Sequence, residues 1–438
     1  MMIHRKFDYR NLDELKDDIF RAGVELPVSG NLDVLKASLP LYGKLLPNRL
    51  AIHPMEGCDG TPEGAPSELT FRRYERFGAS GAGLLWMEAC AVSSEGRGNA
   101  RHLYLNRNHL PEFKKLFDDM ILSAKAASGD DFRPYTVLQM THAGRYRKPT
   151  PDAAAMVAVT ENPYLDPRNP KRQLITDEEL ECLENQYIET ARLAKEIGFD
   201  AVDIKACHRY LVSELLSAHT REGRYGGCFD NRVRFLLNVI DKVKANADID
   251  VTLRINVYDA IPYPYGWGTD ENGCPAPDEP RRLMQILWEK GVRLVNISAG
   301  NPYYNPHIGR PADTGTYVAP EHPIESAARM LRLIREMKTT APEMTIIGTG
   351  FSWFREYGAN IAAGCIEQGW IDLAGFGRQA FAYPDFAHDI ITHGTMLRRK
   401  CCITCAKCTE LMRFGGQTGC VIRDSKIYLP IWRKVTKK

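Results

Sequence analysis

Eight short apolar runs, each followed by a loop and then by an amphipathic stretch, limit what this 438-residue chain can fold into. Short continuous apolar runs of this kind are typical of strands that are buried on both faces of a sheet. In chain order the runs are residues 49–54, 83–88, 135–140, 201–205, 251–255, 294–298, 345–348 and 373–376.

The stretches between the runs have helical periodicity. The clearest covers residues 177–197 and has acidic residues in its first turn. The same spacing predicts helices over residues 230–243, 279–290, 325–337 and 354–368. Eight strands that alternate with helices indicate an α/β protein with a parallel sheet, and eight is the number that closes a TIM (β/α)₈ barrel. A doubly wound open sheet is the alternative.

The two ends of the chain differ from this repeating middle. Residues 1–45 are polar and are predicted to form an N-terminal extension, and residues 46–396 are predicted to form the barrel. Residues 397–438 are basic, rich in cysteine and then short and strand-like, so we expect a separate C-terminal segment. No G-x-G-x-x-G motif follows any run and no Walker A motif occurs, so no nicotinamide dinucleotide domain is predicted.

Composition narrows the class of protein. With 44% hydrophobic and 26% charged residues, the chain has the mixture of a folded globular protein. A net charge of +2 argues against a dedicated nucleic-acid surface. No apolar run approaches the length of a membrane span, and the N-terminus is too polar for a secretory signal. We therefore expect a cytoplasmic protein with neither a nucleic acid nor a membrane as its partner.

Glycines at the ends of the last two strands predict a phosphate site. Reactive and binding groups of a TIM barrel gather at the carboxyl ends of its strands, and phosphate usually binds after strands seven and eight. Gly350 follows the seventh run, and Gly377 and Arg378 follow the eighth. Backbone N–H groups and a guanidinium both suit an anion. The alternative is that these glycines only make tight turns.

An amide and a fixed cation at the same barrel mouth suit a flavin. Gln139, on the third strand, can donate to and accept from a pyrimidine edge. Arg254, on the fifth strand, would stabilise negative charge at N1 and O2 of a reduced flavin. The alternative for Arg254 is an internal ion pair with a carboxylate such as Asp203.

Four cysteines near the C-terminus predict an inorganic cofactor. Cys402, Cys405 and Cys408 follow one another at intervals of three, and Cys420 comes after eleven further residues. Four thiolates at this spacing suit a 4Fe–4S cluster or a tetrahedral zinc. A predicted flavin in the same chain favours the electron-carrying cluster. The neighbouring Cys401 is interpreted as a structural thiol.

The motifs on these elements resemble those of the Old Yellow Enzyme superfamily, specifically its iron–sulfur branch, which includes 2,4-dienoyl-CoA reductase, 2-enoate reductase and trimethylamine dehydrogenase. The likeness extends from about Leu46 to Asp424. The motifs that carry it are LPNRLAIHPM, GAGLLWMEACAVSSEGRG, VLQMTHAGR, YLVSELLSAHTREGRYGGCFDNRVRF, GFGRQAF and CITCAKC.

The resemblance implies FMN and a 4Fe–4S cluster as cofactors. The residues implied to contact the flavin, from its ring to its phosphate, are Pro54, Met55, Ala89, Gln139, Arg254, Gly350, Gly377 and Arg378. The residues implied to hold the cluster near the dimethylbenzene edge are Cys402, Cys405, Cys408 and Cys420.

The resemblance also assigns roles after the fourth and sixth strands. Tyr210 aligns with a tyrosine that donates a proton, and His208 aligns with a polar residue that holds a substrate carbonyl. His307 resembles an active-site histidine that orients or recharges the donor. Lys205 and Arg209 depart from the family pattern and, with Arg310, are expected to add positive charge at the mouth of the site. Tyr210 could instead only pack under the flavin, and Lys205 could pair with Asp203.

These assignments predict an ene-reductase. Reduced flavin would pass a hydride to an electron-poor C=C bond of an enoate, an enone or a similar substrate, including an anionic one, and Tyr210 or His208 would deliver the proton. A separate ferredoxin, flavodoxin-like or NAD(P)H-oxidising protein would supply the electrons. One alternative is amine oxidation, with electrons leaving through the cluster, although Lys205 and Arg209 would repel a cationic substrate. The other is a non-enzymatic electron-transfer subunit.

Overall fold

Eight parallel strands close into a barrel in the computed structural model, which describes residues 3–168, 170–315 and 317–437. Each strand pairs with the next along the chain, and Phe376 of the last pairs with Ile52 of the first. The TIM-barrel prediction is therefore confirmed, and the open-sheet alternative is wrong. The strands are β1 (Leu50–Ile52), β2 (Leu84–Ala91), β3 (Tyr135–Thr141), β4 (Ala201–Ile204), β5 (Asp250–Asn256), β6 (Leu294–Ser298), β7 (Thr345–Gly348) and β8 (Leu373–Phe376).

A helix follows every barrel strand. The helix at Asp177–Ile197 has the predicted bounds, because Thr176 and Glu179 form a capping box at its start and Gly198 ends it in a left-handed conformation. The predicted helix 354–368 is instead a 3₁₀ segment, Phe351–Tyr357, followed by a shorter α-helix. The helices are α1 (Glu68–Gly78), α2 (Leu110–Ser128), α3 (Asp177–Ile197), α4 (Phe229–Asn246), α5 (Asp278–Glu289), α6 (Pro323–Thr340), α7 (Gly358–Glu367) and α8 (Phe386–His393).

A hairpin of two short strands, Leu39–Leu41 and Lys44–Leu46, closes the amino-terminal end of the barrel. Its Leu46 packs with Leu84 and Trp86 inside the barrel. At the hairpin turn, the Tyr42 hydroxyl donates to the carbonyl of Val251 at 2.7 Å and accepts from the amide of Arg293 at 2.6 Å. The hairpin thus leaves the carboxyl end of the barrel as the open end.

Replacing Tyr42 by phenylalanine is expected to lower the free energy of unfolding by about 1–2 kcal/mol, because the Val251 carbonyl and the Arg293 amide both lose a partner. Denaturant unfolding measures this change. Steady-state turnover should stay the same, since the hairpin lies at the end of the barrel away from the strand carboxyl termini. A variant as stable as the parent protein would contradict this role of the hydroxyl.

Shorter elements complete the two ends and the barrel mouth. A helix at Leu12–Arg21 lies in the N-terminal extension, where the Phe7 amide donates to Asp313 at 2.9 Å. The elements at the mouth are helices at Leu211–Leu216, Pro306–Gly309 and Arg378–Ala382 and a parallel strand pair, Ala155–Val157 and Arg172–Leu174. Five residues that belong to the predicted domain ranges lie outside the described part of the chain: Met1, Met2, Asn169, Thr316 and Lys438.

The C-terminal segment is helical, so the strand-like prediction for its end is wrong. It contains helices at Lys407–Arg413 and Ser425–Thr436. Most apolar residues of the second helix, at positions 427, 428, 431, 432 and 435, follow a helical period, and Leu429 also packs on the same small core, in which Tyr428 meets Leu411 and Val421. Among the described residues, no helix has the length and apolar character that a membrane span requires.

Candidate active site

A cavity of about 1160 Å³, including its open mouth, lies at the carboxyl ends of the barrel strands. This is where a TIM barrel places its functional groups. The cavity brings together twelve of the predicted site residues: Pro54, Met55, Gln139, Lys205, His208, Tyr210, Arg254, Arg310, Gly350, Gly377, Arg378 and Cys408.

Asp203 organises one wall of the cavity. Its carboxylate accepts hydrogen bonds from the Trp86 indole at 2.9 Å, from the Gln139 side chain, and from the backbone amide of Arg254 at 2.7 Å. Burial raises the pKa of Asp203 to about 6 in spite of these bonds. Because the Gln139 amide nitrogen is engaged, its carbonyl oxygen is the atom left to accept a bond from a ligand.

The Arg254 side chain does not form the ion pair that was considered for it. Its Nη1 lies 3.5 Å from the Pro54 carbonyl oxygen, and its Nε is buried without a hydrogen-bond partner. Asp203 meets only the backbone amide of Arg254 within hydrogen-bond distance. An orphaned, buried guanidinium at a cavity wall is costly unless a ligand acceptor reaches it. Arg254 therefore fits the electron-rich edge of a flavin.

Two guanidinium groups lie together at the other end of the cavity. Arg378 donates to the Pro311 carbonyl and Arg310 donates to the Thr409 hydroxyl, each at 2.8 Å, and within the described part of the chain neither has a carboxylate partner. Burial and the adjacent Arg378 lower the pKa of Arg310 to about 10. Neighbouring cations without counter-charge form a site for an anion such as phosphate.

The glycines beside these arginines leave room for a ligand. A Cβ atom at Gly377 would come within 2.9 Å of the Met55 sulfur, so a larger residue would force this wall to shift. Gly350 has φ +103°, a conformation that L-residues rarely adopt, and a Cβ atom there would make only an ordinary contact with the Met330 Cγ at 4.0 Å. The geometry of both positions agrees with the predicted phosphate end.

Four polar side chains form a hydrogen-bonded cluster along the cavity, and two of them were not predicted. The Lys205 Nζ lies 2.7 Å from Glu56 Oε1, and the Tyr210 hydroxyl lies 3.1 Å from the same oxygen. The Tyr303 hydroxyl lies 3.1 Å from that of Tyr210. Lys205 thus pairs with Glu56 rather than with Asp203. Glu56 directly follows the motif HPM, and Tyr303 stands in the loop after β6, so their positions at strand ends were the available signal.

The charge state of Glu56 sets the direction of these hydrogen bonds. Burial would raise its pKa, but Lys205 and the Tyr210 hydroxyl lower it to about 2. An ionised carboxylate only accepts, so Tyr210 donates its proton to Glu56, and Tyr303 donates to the oxygen of Tyr210. The phenol pair is thereby held protonated inside the cavity, and burial raises the pKa of Tyr210 further.

Replacing Glu56 by glutamine is expected to lower the free energy of unfolding by about 3 kcal/mol at neutral pH, since Lys205 loses its anionic partner. The pKa of Glu56 lies below its ordinary value of 4.5, at about 2. The stability that ionised Glu56 contributes is therefore complete above about pH 5 and is lost as the pH falls toward 2. Denaturant unfolding from pH 3 to pH 7 measures the difference, which should shrink in acid.

The matched control is the double variant E56Q/K205M, which removes both charges. It should recover part of the lost stability, because no unpaired ammonium remains buried. A difference between E56Q and the parent protein that is independent of pH would contradict the assigned ion pair.

His208 is half-buried and points into the cavity, where its Nε2 lies 3.2 Å from the Ser298 hydroxyl. Burial and the nearby Arg254 lower its pKa well below the usual value, so the ring is neutral at physiological pH. A neutral imidazole can either donate to a carbonyl oxygen or accept from a hydroxyl. His208 is thus placed to hold a polar group of a substrate.

Arg209 is not at the mouth of the site, which corrects its prediction. Both His208 and Arg209 have positive φ angles, of 64° and 61°, and this turn directs the histidine into the cavity and the arginine into the protein. Arg209 is fully buried, with Nη1 at 3.1 Å from Asp259 and Nη2 at 3.0 Å from the carbonyl of Tyr265. It acts as a structural ion pair.

His307 and Ala89 also lie outside the cavity. His307 lines a neighbouring surface pocket, where its Nδ1 contacts the Tyr317 hydroxyl and its Nε2 lies 4.0 Å from Glu321. Ala89 is fully buried in β2, and its carbonyl accepts from His102 at 2.7 Å. The predicted contacts of His307 with the proton donor and of Ala89 with the flavin ring are therefore corrected.

The four cysteines of the C-terminal motif line one small pocket: Cys402, Cys405, Cys408 and Cys420. Cys408 also lines the main cavity, so the two spaces are adjacent. Cys401 lies outside the pocket, and its thiol contacts the Leu397 carbonyl. Four cysteine thiols and no carboxylate line this pocket, a donor set that suits an iron–sulfur group or a tetrahedral zinc. Within the described residues, no three His, Cys, Asp or Glu side chains are grouped closely enough to hold a metal ion, so the cluster stays a prediction.

The fold and the cavity together define a flavin-dependent oxidoreductase built on a TIM barrel. A family model described as the NADH:flavin oxidoreductase / NADH oxidase family matches residues 40–266, and the chain belongs to that family. This confirms the resemblance to the Old Yellow Enzyme superfamily, in which FMN is the bound flavin. An NADPH dehydrogenase of Listeria monocytogenes serotype 4b is 30% identical over 261 residues, covering 58% of this chain and 70% of that protein.

Solved structures share the fold at lower sequence identity. The complex of 2-naphthoyl-CoA reductase has a TM-score of 0.73 at 19% identity, covering 89% of this chain and 57% of the other. Histamine dehydrogenase from Rhizobium sp. 4-9 has a TM-score of 0.67 at 15% identity, covering 90% of this chain and 53% of the other. The chain thus spans little more than half the length of either.

Proposed function

We propose that the protein is an FMN- and 4Fe–4S-dependent ene-reductase that saturates an electron-poor C=C bond with electrons from a separate donor protein. The observation that carries this proposal is one cavity that combines Arg254, whose buried Nε has no hydrogen-bond partner, with the protonated pair Tyr210 and Tyr303. Arg254 suits the flavin edge that becomes electron-rich on reduction, and the tyrosine pair suits delivery of a proton beside that edge.

The residues present fit FMN. Arg254 and Gln139 would hold the pyrimidine edge, and Arg378, with the turns at Gly350 and Gly377, would hold the phosphate. When bound, FMN supplies a hydride to the β-carbon of the substrate. Cys402, Cys405, Cys408 and Cys420 would hold the cluster, which supplies single-electron transfer, on the far side of Arg378.

Tyr210 is the proposed donor of the proton to the α-carbon. Its hydroxyl lines the cavity, Glu56 and Lys205 fix its position, and Tyr303 is 3.1 Å away to return a proton to it. His208, supported by Ser298, would orient the activating carbonyl of the substrate. General acid catalysis of this kind contributes about 10²–10⁴-fold to a rate.

The cavity favours a planar, conjugated substrate. The ring of Tyr146 stacks on that of Tyr303 with centroids 3.8 Å apart, beside Tyr210. Glu56 neutralises Lys205 and Asp259 neutralises Arg209, so less free positive charge faces the substrate than the sequence indicated. An enone or an aromatic conjugated ester suits this surface better than a small carboxylate does.

Amine oxidation is the second candidate, because the pairing of Lys205 and Arg209 with carboxylates weakens the argument against it. The two cations that were expected to repel an ammonium group are both paired, and Glu56 and the tyrosine faces can accept a cation. Electrons would then leave through the cysteine pocket.

Anaerobic purification with absorbance spectra and iron analysis tests the cofactors. Reduced enzyme is then offered 2-cyclohexenone, cinnamate and a cinnamoyl thioester, and oxidised enzyme is offered trimethylamine and histamine. Flavin reoxidation by an unsaturated acceptor supports the ene-reductase, whereas flavin reduction by an amine supports the second candidate. A preparation that contains zinc and lacks flavin would contradict both.

A further inference from the structure

Positive charge is concentrated in the C-terminal segment. Residues 397–438 contain eleven of the 57 lysines and arginines but only two of the 55 acidic residues. The segment therefore has a formal charge of +9, and the remaining chain has a charge of −7. An asymmetry of this size creates a local field that the nearly neutral whole protein does not have.

The two acidic residues of the segment are already engaged. Asp424 accepts from Arg72 at 2.8 Å and from Arg76 at 2.7 Å, which brings two more arginines to this face. Glu410 accepts from the Trp432 indole at 2.8 Å. Among the described residues, eight cations of the segment form no ion pair: Arg399, Lys407, Arg413, Arg423, Lys426, Arg433, Lys434 and Lys437.

Part of this positive charge lies at the cysteine pocket. Lys407 and Arg423 line the pocket, as do the half-buried apolar residues Ile403 and Ile422. The ammonium of Lys407 lies 3.5 Å from the centroid of the Trp432 ring, which places the last helix, Ser425–Thr436, directly beside the pocket. An apolar centre with a charged rim is the usual anatomy of a protein interface.

We propose that this basic face, formed by Lys407, Arg413, Arg423, Lys426, Arg433 and Lys434, is the docking surface for an acidic protein that carries single electrons. The inference rests on the proposed function, since the cysteine pocket is the entry point for electrons. Each encounter oxidises one carrier by one electron. Two encounters supply the two electrons that, with two protons, saturate one C=C bond.

Charge complementarity identifies the partner class. Uncompensated cations around a redox centre accelerate encounter with an anionic partner and fix its orientation, and both effects weaken with salt. A flat anionic membrane would contact the cations of the last helix but would not need the apolar rim at Ile403 and Ile422. An acidic carrier protein uses both features.

The test compares the binding of oxidised plant-type ferredoxin, an acidic carrier, with that of cytochrome c, a basic one. Ferredoxin should bind the holoenzyme, with a dissociation constant that rises between about 20 mM and 200 mM salt. The variant K426E/R433E, which changes two exposed residues seven positions apart on the last helix, should weaken this binding by about tenfold and flatten its salt dependence. Calorimetry measures both quantities without turnover.

The matched control is K125E/R332E, which reverses two exposed cations on α2 and α6 that also lack ion pairs among the described residues. It should bind ferredoxin like the parent protein. Equal losses in both variants, binding of ferredoxin that is independent of salt, preferred binding of cytochrome c, or binding only to vesicles with phosphatidylserine would each overturn the proposal.

Reduced methyl viologen separates this inference from the proposed function. With this small donor, K426E/R433E should reduce the unsaturated acceptor as fast as the parent protein. If methyl viologen supports turnover but ferredoxin does not bind, the docking surface is wrong and the enzyme assignment stands. If ferredoxin binds as expected but no acceptor is reduced with either donor, the enzyme assignment fails and the surface stands.

Discussion

Tyr210→Phe should slow reoxidation of the reduced enzyme by an unsaturated acceptor by about 10²–10³-fold while the bound flavin is retained. The substitution removes only the hydroxyl that faces the cavity and donates to Glu56. Because the ring remains, the stacking with Tyr303 and the cation–π contact with Lys205 are preserved. Stopped-flow absorbance of flavin reoxidation at saturating acceptor measures the effect.

Tyr146→Phe is the matched control for this experiment. Tyr146 is half-buried and stacks on Tyr303, but its hydroxyl is bonded to Asn301 and not to the polar cluster. It should change the rate by less than about tenfold. If Tyr210→Phe turns over like the parent protein, Tyr210 is not the proton donor. Tyr303, whose hydroxyl contacts it, then becomes the candidate.

Cys402→Ser should abolish turnover that depends on a one-electron protein donor and should lower the iron content toward zero. Cys402 is buried and lines the pocket together with the other three cysteines of the motif. Serine removes the soft thiolate that iron prefers, and three ligands do not close the cage. Flavin content should stay near that of the parent protein, because Cys402 does not line the main cavity.

The adjacent Cys401 offers a control that differs by one position. It is equally buried but lies outside the pocket, so Cys401→Ser should keep both its iron and its turnover. Equal loss of iron in the two variants would indicate a general disturbance of the segment. Full iron in Cys402→Ser would remove Cys402 from the proposed ligands.

The barrel could be predicted from sequence because its signal is repeated. The eight strands are buried on both faces and read as short, mostly apolar runs, and α3 has both of its ends marked by capping residues. The strand prediction for the last helix is wrong because it depends on one short stretch that is not repeated elsewhere in the chain. The stretch at 426–432 is too short to separate a helical period from alternation when Pro430 stands inside it.

The candidate site could be predicted less completely, because the sequence shows neither which way a side chain points nor which distant residues pair. Sequence position placed His208 and Arg209 together after β4, but only the backbone turn decides that the first faces the cavity and the second faces Asp259. The pairing of Lys205 with Glu56 joins residues 149 positions apart. Sequence periodicity does not show a contact between residues so far apart, so the net charge of the cavity could not be derived before the fold was known.

The C-terminal segment provides part of the wall of the main cavity, through Cys408, Thr409, Met412 and Thr418. Thr409 is moreover the hydrogen-bond partner of Arg310. A protein shortened to the barrel alone would therefore lose this wall of the cavity, and water would reach the anion-binding end more freely. Replacing the C-terminal segment by a different one would therefore also change the shape of the main cavity.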